Sequence, residues 1–112
     1  MSAPQAVADV LDAAADLLEK PGAWTQGDYA RNRFGGKLGD GRKPEATCWC
    51  AIGALEKVTG SLIGNHYAAP LIEVIGGNGR IDQWNDAPGR TQSEVVAALR
   101  AAATSARQGE TK

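Results

Sequence analysis

Residues 47–58 read TCWCAIGALEKV, and whether this run forms one helix decides how everything around it is arranged. At about 100° per residue, Cys48, Ala51, Ile52, Leu55 and Val58 fall on one face. Thr59-Gly60 then supplies a stop. The spacing predicts a helix over 47–58 with Cys48 on its apolar stripe and Cys50 on its flank. Both thiols are then expected to be buried as small hydrophobes. Gly53 lies inside that helix, where glycine costs up to about 1 kcal/mol relative to alanine. Its presence implies the close approach of another backbone, such as the first or last helix.

Two longer helices are marked on either side. Val7, Val10, Leu11, Ala14, Leu17 and Leu18 recur at three- and four-residue spacing. Ser2, Pro4 and Gln5 open that helix as a capping hydroxyl, a first-turn proline and a glutamine three positions on, and Pro21-Gly22 closes it. Near the C-terminus, Thr91-Gln92-Ser93-Glu94 matches a capping box. Val95, Val96, Leu99, Ala102, Ala103 and Ala106 follow as one stripe, and the two terminal helices are expected to pack together. A fourth helix is expected to begin near Ala69, because Pro70 suits only a first turn, and to end at Gly76-Gly77. Residues 80–84 are too short a stretch to classify.

The remaining segment, 24–46, is a glycine-rich, basic insert without sustained periodicity, and a short hairpin at 29–34 fits within it. A loop of this length in a compact domain is functional or mobile. The predicted fold is therefore mainly all-α: a single four-helix domain over 1–112, with a long glycine-rich loop after the first helix and a frayed tail at 107–112.

Bulk properties agree with a small helical domain. The chain has 112 residues, long enough for one modest core. Alanine supplies much of its apolar content, which favours closely packed helices over sheet. A formal net charge of -1 provides no global field for nucleic acid or anionic lipid. No segment approaches the roughly 18 apolar residues of a membrane span. The N-terminus carries Asp9, Asp12 and Asp16 and has no basic start, unlike a secretion signal. A cytoplasmic location and reduced thiols are the expectation.

Four stretches, AWTQG at 23–27, CWCAIGAL at 48–55, Gly76-Gly77 and IDQWNDAPGRT at 81–91, together resemble an uncharacterised family of short bacterial and bacteriophage proteins, a domain of unknown function. The likeness spans nearly the whole chain, with 34–46 the least similar part. It implies a stand-alone, phage-borne type of domain, and for accessory proteins of this size the binding of a host factor or a small molecule rather than catalysis. It carries over no reaction, cofactor or site residue.

Four candidate sites follow from the residues themselves. Cys48, Cys50 and His66 could ligate a metal, but helical positions two apart point about 200° away from each other and only one imidazole is present. No metal or cofactor is expected. A cysteine-dependent enzyme would use Cys50 or Cys48, its thiolate favoured at a helix N-terminus, with His66 as base and Asn85 or Asp86 as orienting partner. Against that, Asn85-Asp86 before Ala87-Pro88 suits a turn held by side-chain-to-backbone bonds. Trp24, Trp49 and Trp84 are either large anchors whose indole N–H needs a partner or the lining of one groove.

The basic insert is the strongest functional candidate. Arg31, Arg33, Lys37, Arg42 and Lys43 are offset by Asp40 alone, with Tyr29 and Phe34 interleaved and Trp24 adjacent. Such a loop can contact phosphate while a ring stacks on a base, or remain a solvated loop. The expected function is that of a non-enzymatic binding protein engaging a host protein or an anionic small molecule such as a nucleotide. Nucleic acid fits less well, since the rest of the chain is net acidic and no reading motif is present.

Overall fold

The run at 47–58 divides at Cys50. A computed structural model of the chain describes residues 3–61, 65–76 and 79–110, without the side chains of 3–6, 65, 66 and 110. Its elements are α1 (Ala3–Glu19), β1 (Ala30–Arg31), β2 (Cys48–Trp49), α2 (Ala51–Thr59), α3 (Asn65–Ile75), α4 (Ile81–Asn85) and α5 (Gln92–Glu110). The architecture is mainly α, with five helices among the described residues rather than four. The added one is α4, from the stretch too short to classify.

Cys48 thus lies on a strand and Cys50 is the extended N-cap of α2. The helical wheel misplaced Cys48 because a single turn carries too little periodicity to outweigh tertiary bonds. Trp49 donates its backbone N–H to Ala23 O (2.8 Å) and accepts from Thr25 N (3.0 Å). On the other edge, Thr47 N reaches Arg31 O and Cys50 N reaches Tyr29 O. β1 and β2 run antiparallel, with bridges to Lys37 on one side and Trp24 on the other. The main partner of β1 is therefore β2 and not a strand within 29–34. The chain does turn back on itself here as a tight antiparallel hairpin, shifted to 30–38, where Leu38 N bonds Ala30 O, Asn32 N bonds Gly36 O and Gly35 N bonds Asn32 O.

The terminal helices pack along one another as expected. Leu11, Ala14 and Leu18 of α1 and Val95, Leu99, Ala102 and Ala103 of α5 are fully buried in one core. On the rim, Arg100 reaches Asp12, Asp16 and Glu19, and Arg107 reaches Asp9 and Asp12. Such solvent-exposed pairs add little, so the buried stripe carries the stability of this contact. The capping box forms: Thr91 N donates to Glu94 Oε1 (2.9 Å) and Glu94 N to Thr91 Oγ1 (3.2 Å). α5 continues to Glu110, past the 107 boundary set for the tail, while 111–112 and Ser2 lie outside the described residues.

α3 starts at Asn65, not near 69, so Pro70 sits inside the helix. The proline forfeits one backbone bond, and burial of Ala68 and Leu71 in the core offsets that loss. Gly76 closes α3 with φ 68°. No described helix is long and apolar enough to cross a membrane.

Candidate functional site

The long loop after α1 is fastened to the helices at two points, and both fastenings shape the surface it presents. The first is Asn85, the last residue of α4, whose side chain is fully buried. Its Oδ1 accepts from Trp24 Nε1 (2.8 Å) and from Ala51 N (3.1 Å), the first amide of α2. Its Nδ2 donates to Thr25 O (3.1 Å) and to Asp86 Oδ1 (3.0 Å). The opposite amide orientation would set an NH₂ against two N–H donors, so the partners determine which atom is the oxygen. Around it, Gln26 Nε2 donates to Asn85 O and Ala87 O, and Gly27 N to Asp86 Oδ1. Asp86 is exposed and does not gather a set of buried amides.

The second fastening is at Gly41. Its N–H donates to Glu56 Oε1 (2.9 Å), and its carbonyl accepts Trp49 Nε1 (3.0 Å). Glu56 is only 4% exposed. Burial pushes its carboxyl above the usual range, against the opposing bond from Gly41. The close approach that Gly53 requires is made by this loop, through Tyr29 O and Gly41, and not by the first or last helix. Trp24 and Trp49 are thus anchors with satisfied indoles, and Trp84 lies under the Arg90 guanidinium at 4.2 Å.

Along the loop, the five expected basic residues divide by role. Arg31 is structural: NH1 donates to Gly35 O (3.0 Å) and NH2 to Gln26 O (3.1 Å). Arg42 grips Asp40 through Nε and NH2, and this fork holds the Asp40 carboxyl down to about 2. Arg33, Lys37 and Lys43 make no ion pair among the described residues. Asn32 Oδ1 accepts from Phe34 N and Gly36 N, both at 2.9 Å. The turn is therefore well bonded, yet Phe34 at its tip is 81% exposed, with Arg33 stacked on its ring at 4.8 Å.

Beside this tip lies a cleft of about 180 Å³ lined by Gly27, Asp28, Tyr29, Cys50, Asp82 and Asp86. Asp82 pairs with Arg80 at 3.0 Å. Asp28 Oδ2 takes the amides of Ala30 and Gly39. Although burial opposes it, those bonds hold Asp28 below the usual carboxylate range. The cleft joins Cys50 to Asp86 but not to Cys48, which is half-buried on β2 with Sγ 3.9 Å from Arg31 O. The His66 side chain lies outside the described residues. Among those described, no group of three His, Cys, Asp or Glu could hold a metal ion.

Cys50 occupies the helix N-terminus that would favour a thiolate, and its Sγ accepts from Gly53 N (3.4 Å). Burial nevertheless dominates: at 3% exposure the thiol is pushed up to about 11, with Asp86 and Glu56 adding to the rise. Iodoacetamide at pH 7.5 is therefore expected to leave Cys50 unmodified in native protein and to label it after denaturation, read by peptide mass mapping. Labelling of native Cys50 faster than a free thiol would restore the nucleophile hypothesis.

Two residues escaped sequence reasoning. Asn85 was legible as a local turn former, whereas its partners lie at Thr25, Trp24 and Ala51; the paired occurrence of AWTQG and WNDAPGRT was the available signal. Glu56, within the apolar run of α2, carried no signal that separates a buried acid from a solvated one.

The chain belongs to a family of unknown function (DUF6197), which it matches over residues 2–105. No curated protein and no solved structure matches it.

Proposed function

We propose that this chain is a non-enzymatic binding protein that engages a protein partner, in the manner of a phage accessory protein on a host factor, through the tip of its long loop. The observation that carries this is Phe34: a large apolar ring held out to solvent on a turn whose backbone is bonded on both sides. A rigid exposed aromatic loses little entropy on binding and is the usual form of an interface anchor. Arg33 on its ring and Lys37 beside the turn would meet carboxylates on the partner.

An anionic small molecule suits this surface less well, because the adjoining cleft is lined with Asp28, Asp82 and Asp86. The same carboxylates would repel a phosphodiester backbone. Catalysis by Cys50 is disfavoured by its burial and raised pKa.

The test is photo-crosslinking in cells. Phe34→benzoylphenylalanine should give a discrete heterologous adduct that is absent from Val74→benzoylphenylalanine, an exposed position on α3. Adding Arg33→Glu should reduce that adduct about tenfold or more. Equal yields from positions 34 and 74, or indifference to Arg33→Glu, would overturn the proposal.

A further inference from the structure

The tip and the cleft are neighbours of opposite sign. One guanidinium, that of Arg31, touches Gly35 in the tip and Gln26 next to the cleft wall. On the tip side stand Arg33, Lys37 and the ring of Phe34; on the cleft side stand Asp28, Asp82, Asp86 and the ring of Tyr29, itself 39% exposed. A surface with a positive half and a negative half side by side is complementary to its own copy turned by a two-fold rotation.

We infer that a second copy of this chain docks on this lobe, each Arg33–Phe34 tip seated at the other's Asp28–Tyr29–Asp82–Asp86 cleft. This rests on the loop lobe being the contact surface and names one of its partners. Arg33 meets carboxylates, the geometry its planar fork suits best. Phe34 meets Tyr29, an aromatic contact that covers the two most exposed rings of the lobe. Lys37 faces the remaining acidic rim. Arg80 tempers the cleft's charge by pairing with Asp82, so the association is weak and sensitive to salt. A competing protein partner would have to displace the second copy from the tip.

Sedimentation velocity of the purified full chain tests this with two charge-reversed variants. One is Arg33→Glu/Lys37→Glu; the other is Asp82→Lys, chosen because Asp28 and Asp86 also hold the loop. Wild type should show a concentration-dependent dimer that weakens between about 0.05 M and 0.5 M salt. Each variant alone should raise the dimer dissociation constant about tenfold or more, since each reversal acts twice across a two-fold interface. In a mixed dimer one tip–cleft contact is native and the other sets the reversed tip against a cleft whose charge Asp82→Lys has cancelled. Mixing should therefore bring back much of the association that either variant alone loses, and that recovery also shows that both chains are folded.

Wild type that stays monomeric to about 1 mM at low salt would overturn the inference, that concentration marking the weak end of specific association. A dimer indifferent to either variant, or a mixture that fails to recover, would do the same. A heterologous crosslink from position 34 that persists in those cases leaves the binding-protein proposal standing. Loss of both results removes the lobe itself as a contact surface.

Discussion

Gly53→Ala should lower the melting temperature by on the order of 10 °C or more, the largest effect expected of any single methyl group in this chain. A Cβ at position 53 would overlap the carbonyl oxygen of Tyr29 and lie 2.8 Å from its carbonyl carbon. That carbonyl cannot swing away freely, because it accepts the Cys50 N–H that closes the strand before α2. On the far side, the backbone of Gly53 is in turn the surface on which Gly41 rests. Three backbone segments are therefore layered without a side chain between them. Overpacking a core costs about 1–3 kcal/mol where side chains can adjust, and more where backbone must move. About 3 kcal/mol or more is a large part of the roughly 5–15 kcal/mol that holds a domain together. The control is Gly109→Ala, where an added Cβ meets nothing within 4 Å. Thermal unfolding should show that variant unchanged or stabilised by up to about 1 kcal/mol, since alanine is the better helix former. A Gly53→Ala variant within about 1 kcal/mol of wild type would show that the layered contact is looser than its geometry implies.

The same contact marks where sequence reasoning stopped. α1 and α5 were legible because their stripes repeat over several turns, so no competing arrangement satisfies Leu11, Leu18, Val95 and Leu99 equally well. The capping box at Thr91 was legible because its chemistry is local. The run at 47–58 was not, because its first four residues are decided by backbone groups at Ala23, Thr25, Tyr29 and Arg31. Gly53 announced a close approach but not its partner, since a missing Cβ carries no address. The basic loop was legible as a cluster of charge, and sequence alone could not show that Arg31 and Arg42 are engaged inside it. Without that division the tip at Arg33–Phe34 does not stand out from its neighbours.

Asn85 offers the second large effect, with a dependence on pH whose sign follows from its partners. Asn85→Ala leaves the Trp24 indole, the Ala51 amide and the Thr25 carbonyl without the group that satisfies all three. At about 1–3 kcal/mol for each buried group left unpaired, partly relieved by water, a loss of roughly 3 kcal/mol or more is expected. Asn85→Asp separates the two halves of the amide's work. It keeps an oxygen facing Trp24 and Ala51, but it turns a donor toward Thr25 O and Asp86 Oδ1 into an acceptor. The introduced carboxyl is fully buried against the Asp86 carboxylate and the Thr25 carbonyl, which oppose its charge more than the two donors at Trp24 and Ala51 favour it. Its pKa in the folded chain is therefore expected above its unfolded value. The folded state then binds more protons than the unfolded state, and stability falls as pH rises through that folded pKa. When protonated, the introduced group regains one O–H donor for the Thr25 or Asp86 oxygen. Relative to wild type under the same buffer, Asn85→Asp should therefore lose less melting temperature at about pH 4.5 than at pH 7.5, whereas the deficit of Asn85→Ala should change little. Equal deficits for Asn85→Asp at both pH values would mean that water reaches the introduced carboxylate, and that Asn85 is not the closed junction between the loop, α2 and α4 that its four bonds describe.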